Sequence, residues 1–444
     1  MDRFDSVIIG SGPAGFETAL GLAKLGNSVA LVEKNDLGGV CINRGCIPTK
    51  VMVSAAKRLE RTQSARRYGL ETAATVFSCP DFMKYRRNVT SRLRKGLEQR
   101  IRNAGITVYN GTASMDSPDV VRVFDGEGGT VATLGFDRLV IAAGTQPVVP
   151  EAWSGIDGVV DSETFWSLDD LPKNILIAGG GVVGCEYASS LATLGFTVTV
   201  VESENRLLTT EEPEVSGIIL KQLKSRGVSV LLETTVDSLS GGNGTLEVRL
   251  GNQAVTCSLV VCCMGRKAFP DTLGLDRAGL DLSMASSLCL KDSIMIAGDI
   301  APGPRLAHKA AHDAQVITDR VAGRDRSPRY DLIPLAVFTS PEVGRAGLTE
   351  REAEKFCTID VRTVHFTEIG KAISDNAPQG FLKIIADRKT RKILGMTIVG
   401  YEASEFSSYA SLVLYNEMTV DGLGRVVFSH PTLGEIFREC ALRF

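Results

Sequence analysis

The chain has 444 residues, 44% hydrophobic and 23% charged, with 49 Lys+Arg against 52 Asp+Glu and a formal charge of −3. That length suits about two to four domains, and the near-even charge leaves no electrostatic footprint for nucleic acid or anionic lipid. The 45 glycines fall in turns between apolar runs, and those runs (Leu259 to Met264, for example) are strand-sized, which excludes collagen-like, disordered, coiled-coil and membrane-spanning classes.

Strand-like sequence begins at Ser6, which leaves no room for a signal peptide, so a cytoplasmic location is expected. The run Val7 to Ile9 leads into Gly10-Ser-Gly12-Pro-Ala-Gly15; a helix-period stretch follows to Leu25, and a second strand, Ser28 to Val32, ends at Glu33. In such a unit the first glycine makes the strand-to-helix turn and the second lets backbone approach a pyrophosphate. The third lets helix and strand pack closely, and the terminal carboxylate accepts ribose hydroxyls.

Next comes Leu37-Gly-Gly39-Val-Cys41-Ile-Asn-Arg-Gly-Cys46-Ile-Pro-Thr-Lys50, then a basic amphipathic stretch to about Arg61. In a regular helix, residues five apart have Cα atoms about 8.7 Å apart, whereas a disulfide needs less than about 7 Å. A bridge therefore requires a break, and Gly45 permits one. The pair is either redox-active, structural, or half of a metal site. No second Cys or His cluster with ligand spacing accompanies it, so no metal is expected.

Residues 175–202 repeat the first unit with Gly179, Gly181 and Gly184, ending at Glu202, again 23 residues after the first glycine (33 − 10 and 202 − 179). Two complete units make two dinucleotide sites. Glu202 favours NAD by repelling the extra phosphate of NADP, and Arg206 is the counter-signal. Cys262-Cys263 lies in an apolar run and reads as core. The basic stretches Lys57–Arg67 and Arg86–Arg102 read as solvated helix faces.

The segment GGVCINRGCIPTK resembles the redox disulfide of the pyridine nucleotide–disulfide oxidoreductases, most closely the dihydrolipoamide dehydrogenase branch. The likeness continues in Ala142-Ala143-Gly144-Thr-Gln-Pro147, Met264-Gly265-Arg266, Ala297-Gly-Asp299, Leu306-Ala307-His308-Lys-Ala310, Val337-Phe-Thr-Ser-Pro-Glu342 and His430-Pro-Thr-Leu-Gly-Glu435. It implies an α/β fold with two Rossmann-like dinucleotide-binding domains and a C-terminal α+β dimerisation domain. The expected bounds are an FAD domain at 1–148, an NAD domain at 149–267, a returning segment at 268–326 and an interface domain at 327–444.

By the same resemblance Cys46 lies against the flavin, Cys41 exchanges with substrate, His430 is the base and Glu435 orients it. FAD is then expected on Gly10, Gly12, Gly15, Glu33, Lys34, Gly39, Lys50, Ala113, Ala143, Gly144, Asp299, Arg305, Leu306, Ala307 and His308. NAD is expected on Gly179, Gly181, Gly184, Glu186, Glu202, Val236 and Gly265, with Lys50 and Glu186 paired beside the flavin edge. The implied reaction is oxidation of a dihydrolipoyl group by NAD in a homodimer. Its partner is the lipoyl domain of a 2-oxoacid dehydrogenase complex or a glycine cleavage carrier. The rival is an NAD(P)H-dependent reductase of another disulfide or of a metal. Three features depart from the family pattern: Phe428 replaces a histidine, the Gly265–Pro270 loop is one residue longer, and the tail after Glu435 is short.

Overall fold

Val7, Ile8 and Ile9 end strand β1 (Asp2–Ile9) and are buried, as a central parallel strand covered on both faces requires. Helix α1 (Pro13–Lys24) follows, opened by a proline whose missing N–H is no loss in a first turn. Strand β2 (Val29–Glu33) returns parallel to β1. The computed structural model describes residues 1–242, 244–268, 272–291 and 293–444.

Strands β3 (Thr107–Asn110), β4 (Thr112–Ser117), β5 (Val120–Phe124) and β6 (Thr130–Ile141) complete most of the first sheet. Parallel pairing runs from β3 through β2 and β1 to β6, while β4 and β5 form an antiparallel arm. Strand Ile294–Ile296 then pairs parallel with β6, so the chain returns to this sheet after an excursion of some 150 residues. The excursion holds a second parallel sheet, ordered Ser229–Leu231, Thr197–Val201, Asn174–Ala178, Leu259–Cys262, Val159–Asp161, beside a three-stranded antiparallel sheet at residues 238–257. The two units meet where Arg266–Ala268 pairs with Thr145–Pro147.

The C-terminal unit is a five-stranded antiparallel sheet carrying the helix Ala403–Tyr415. Gly344 lets that helix lie close, since a Cβ there would stand 2.2 Å from the Ala403 carbonyl oxygen. The fold is thus α/β, two Rossmann-like units followed by an α+β unit. Among the described residues no helix is long and apolar enough to cross a membrane.

The basic helix faces differ in part from the sequence reading. Lys57 pairs with buried Glu342, and Arg86 is itself buried, donating to the Trp166 carbonyl at 2.9 Å. Both sit where helices α3 (Cys46–Ser64) and α4 (Cys79–Asn103) face the other units, so their charges serve packing between units rather than solvation. Cys262 is core as expected, but Cys263 leaves the strand and lines a cavity. Of the long loop, Phe269 and Pro270 lie outside the described residues.

Candidate active site

The two glycine turns are built alike. A Cβ on Gly10 would stand 2.4 Å from the Ala142 carbonyl oxygen, and one on Gly179 would meet that of Cys263 at 2.4 Å; both glycines have positive φ, 93° and 111°. Gly15 and Gly184 press on the carbonyls of Gly10 and Gly179, where a Cβ would come within 1.8 and 1.9 Å. Around Gly12 and Gly181 a Cβ would meet nothing, so each second glycine presents bare backbone to a ligand. No side chain caps the first turn of α1 or of α5 (Val182–Thr193), which leaves those N-terminal N–H groups free for an anion.

At the second turn a cavity of about 600 Å³ is lined by Gly179, Gly181, Glu202, Val236, Cys263, Gly265 and Arg266, among others. Glu202 is fixed by the Gly180 N–H at 2.5 Å and the Glu204 N–H at 2.9 Å. Arg206 turns away: its guanidinium donates to the carbonyls of Thr209 and Glu211 and to Ser216. The carboxylate faces the cavity without Arg206 to offset it, which fits NAD and disfavours a 2′-phosphate. Gly184 and Glu186 stand outside this lining. At the first turn Glu33 is buried and accepts from the Ser11 N–H and hydroxyl. Gly39 packs on Gly12, where a Cβ would lie 2.8 Å from its Cα.

Between these sites the redox segment breaks as expected. A short helix α2 (Gly39–Asn43) carries Cys41 and stops; Arg44 and Gly45 take non-helical dihedrals, and α3 begins at Cys46. Neither cysteine is disulfide-bonded, and the Cys41 thiol donates to the Cys46 sulfur. That donation, helped by the Lys50 ammonium, brings the Cys46 thiol down to about 7, against the opposing effects of burial and Glu186. The same contact and burial push Cys41 far upward. Burial also raises Cys79, Cys185, Cys257, Cys262, Cys263 and Cys440, so among the described residues Cys46 is the thiol moved toward the thiolate.

Lys50 and Glu186 meet, with Nζ at 2.9 and 3.1 Å from the two carboxylate oxygens. Glu186 also accepts the Phe338 N–H at 2.9 Å, and Lys50 stands 4.2 Å over the Phe338 ring. Phe338 was outside the expected set, because nothing local marks a residue 152 positions from its partner. A second clamp was also missed: Glu163 pairs with Arg266 at 2.6 Å and with Arg44, between the two thiols, at 3.5 Å.

Asp299 is a further half-buried carboxyl, raised by burial and opposed by Arg266, Lys309 and Arg305. Thr145 donates to it at 3.4 Å. Arg305 donates to the Arg266 carbonyl, and His308 holds the Pro334 carbonyl through Nε2 at 2.6 Å. Leu306 and Ala307 start helix α7 (Ala307–Val321). Ala113 is buried on β4, paired with Val123; Ala143 and Gly144 follow β6, and Lys34 is exposed at the end of β2.

His430 and Glu435 stand in the C-terminal unit, Nδ1 to Oε1 at 2.9 Å. A carboxylate can only accept, so Nδ1 carries the proton and Nε2 is left free to take one. The Thr432 N–H and His430 together hold Glu435 below its ordinary range. The imidazole is 80% exposed. Phe428 stacks on Phe437 against the C-terminal core, a packing role in place of a titrating one.

Two family models match: pyridine nucleotide-disulphide oxidoreductase over residues 4–314, and its dimerisation domain over 333–441. The chain is 32% identical to dihydrolipoyl dehydrogenase 3 of Haloarcula marismortui over 98% of its length and 95% of the relative's. It is likewise 32% identical to a dihydrolipoyl dehydrogenase of Bacillus subtilis, over 98% and 97%. Among solved structures it resembles the HOCl-induced flavoprotein disulfide reductase RclA of Escherichia coli, studied as a Cu(II) complex, with TM-score 0.90, 28% identity and full coverage of both chains. LpdA of Mycobacterium tuberculosis shares the fold, at TM-score 0.91 and 23% identity.

Proposed function

Because this chain belongs to the pyridine nucleotide–disulphide oxidoreductase family, which uses FAD and NAD, we propose that it oxidises the dihydrolipoyl group of a carrier protein. The bare backbone at Gly12 and Gly181 and the uncapped helix starts fit the two dinucleotides. FAD is assigned to Gly10, Gly12, Gly15, Glu33, Gly39, Lys50 and Asp299, and NAD to Gly179, Gly181, Glu202, Val236 and Gly265. Bound FAD supplies two-electron acceptance from a dithiol, and NAD supplies hydride acceptance.

The side chains supply sulfur and proton chemistry. In the oxidised enzyme, a substrate thiol gives its proton to His430 Nε2 and attacks Cys41 Sγ. The Cys41–Cys46 bond breaks, and Cys46 leaves as thiolate. A thiol near 7 is a good leaving group at neutral pH. The second substrate thiol then attacks the mixed disulfide; the lipoyl S–S bond forms and its proton ends on Cys41. The products are a Cys41 thiol donating to a Cys46 thiolate, a distribution that the raised Cys41 and lowered Cys46 favour, and a protonated His430 balanced by Glu435. The dimerisation domain supports a homodimer, and we assign the base at each disulfide to the second copy.

The observation that carries the reading is the Cys41–Cys46 pair across the break between α2 and α3, with the Cys46 thiol brought down, on a chain that matches dihydrolipoyl dehydrogenases over nearly their full length. Steady-state rates with dihydrolipoamide and NAD should exceed those with glutathione disulfide and NADPH, or with Cu(II) and NADH. A clear win for either of the latter pairs would replace the proposed substrate.

A further inference from the structure

Behind the Asp299 turn lies an ion pair that the chemistry above does not use. Lys309 and Asp313, one turn apart on α7, are 0% exposed and stand 2.9 Å apart. Burying two charges is expensive, and an apolar pair of similar volume commonly serves stability as well. These two grip a single residue, Gly298, through the peptide groups on its two sides. The Lys309 ammonium donates to the Gly298 carbonyl at 3.0 Å and reaches toward that of Ala301 at 3.5 Å; the Asp313 carboxylate accepts the Gly298 N–H at 2.9 Å. Gly298 has φ +74°, a left-handed conformation that needs holding, and the next residue is Asp299. Tyr330 closes the cluster: its hydroxyl donates to Asp313 at 2.9 Å, and its ring lies 5.0 Å from Lys309 Nζ. Lys309 also faces the Asp299 carboxyl, together with Arg266, Arg305 and the Thr145 hydroxyl.

We propose that Lys309, Asp313 and Tyr330 are positioning residues that set the 298–301 turn and so hold the Asp299 carboxylate toward the ribityl hydroxyls of FAD. The proposal rests on the reading of Asp299 as an FAD ligand. Tyr330 lies in the segment leading to the C-terminal unit, and Ser411 of the helix Ala403–Tyr415 donates to the Leu332 carbonyl at 2.7 Å just beyond it. The turn is therefore held from the C-terminal side of the chain as well as from α7.

The test is FAD release from the holoenzyme, followed by recovery of flavin fluorescence across a pH series, for the wild type and for Tyr330→Phe, Lys309→Met and Asp299→Asn. A hydrogen bond to a charged group accounts for about tenfold in an equilibrium. Tyr330→Phe should therefore release FAD about tenfold more readily, with its circular dichroism unchanged. Lys309→Met removes a cation that lowers the Asp299 pKa, so the pH below which FAD is lost should move upward; a purely structural role would raise release equally at every pH. If Asp299→Asn loses FAD while Tyr330→Phe retains it as the wild type does, or if Lys309→Met leaves the pH threshold in place, the positioning role is overturned and the Asp299 reading stands. If Asp299→Asn retains FAD as the wild type does, that reading itself falls, and the positioning role with it.

Discussion

Replacing Lys50 by methionine, which keeps the length and removes the charge, separates the two influences on Cys46. The Cys41 thiol donates to Cys46 whatever stands at position 50, so that part of the depression survives. The ammonium does not survive, and neither does its neutralisation of Glu186, whose carboxylate raises the Cys46 thiol. An opposite charge a few ångströms away is worth about 1 to 3 pKa units. A loss of about 2 units carries Cys46 from near 7 to near 9, and the thiolate fraction at pH 7 from about one half to about one hundredth. Glu186→Gln removes the opposing charge and should move Cys46 the other way. The folded chain also feels the change, because Glu186 is 2% exposed and keeps only the Phe338 N–H. Lys50 is 35% exposed, so solvent screening limits that cost to about 2 kcal/mol. The assay is the pH dependence of alkylation of the reduced enzyme, with Cys46 identified by peptide mass. A Lys50→Met thiol titrating within a few tenths of a unit of wild type, or a Glu186→Gln thiol shifted upward, would refute the electrostatic account.

In anaerobic dithiol titrations the long-wavelength absorbance band should persist in Cys41→Ser and vanish in Cys46→Ser; the reverse pattern would exchange the two roles. Glu202→Gln should narrow the preference for NAD over NADP by about tenfold or more in dinucleotide binding, by removing like-charge repulsion. Arg206→Ala should leave the preference unchanged, since its guanidinium is already taken by Thr209, Glu211 and Ser216. Loss of a general base costs about 10² to 10⁴ in rate, so His430→Gln should depress dihydrolipoamide oxidation on that scale while FAD binding stays intact. Glu435, held below its ordinary carboxylate range, is ionised throughout neutral pH. The activity profile between pH 5 and about 8 should therefore carry no inflection from it, and Glu435→Gln should lower the rate.

The parts legible in the sequence were those encoded by local spacing. Gly10, Gly12 and Gly15 announce a turn because each solves a steric problem within six residues, and Gly179, Gly181 and Gly184 repeat the solution with the same close contacts. The break between Cys41 and Cys46 was readable from helix geometry, whereas the His430–Glu435 contact came from family likeness. The pairing of Lys50 with Glu186, 136 residues away, came from family likeness alone. Phe338 and Glu163 were not legible at all, because their partners are brought to them by the packing of separate units. Lys309 and Asp313 had a signal in their four-residue spacing on a helix, yet that spacing does not separate a surface pair from one that is fully buried. Phe428 shows the opposite case: a departure from the family pattern acquires a plain meaning once its stack on Phe437 is visible.

The low pKa of Cys46 therefore belongs only in part to the segment that contains it. Donation from Cys41 is local, since five residues and one break in the helix suffice to bring the two sulfurs into contact. The cation is not local. Lys50 leaves α3 on a flexible side chain, and what aims it is a carboxylate from the second Rossmann-like unit, itself fixed by a backbone N–H at the start of the C-terminal unit. The break between the thiols is tied in the same way, because Arg44 shares Glu163 with Arg266, a residue that lines the dinucleotide cavity. A fragment ending at residue 148 would keep the CxxxxC segment and lose both carboxylates. In that fragment the Cys41 contact would remain, while the Glu186 charge that raises Cys46 and the anchor that holds Lys50 would be lost together, so assembly of the three units sets the environment of the thiol as well as the cofactor sites.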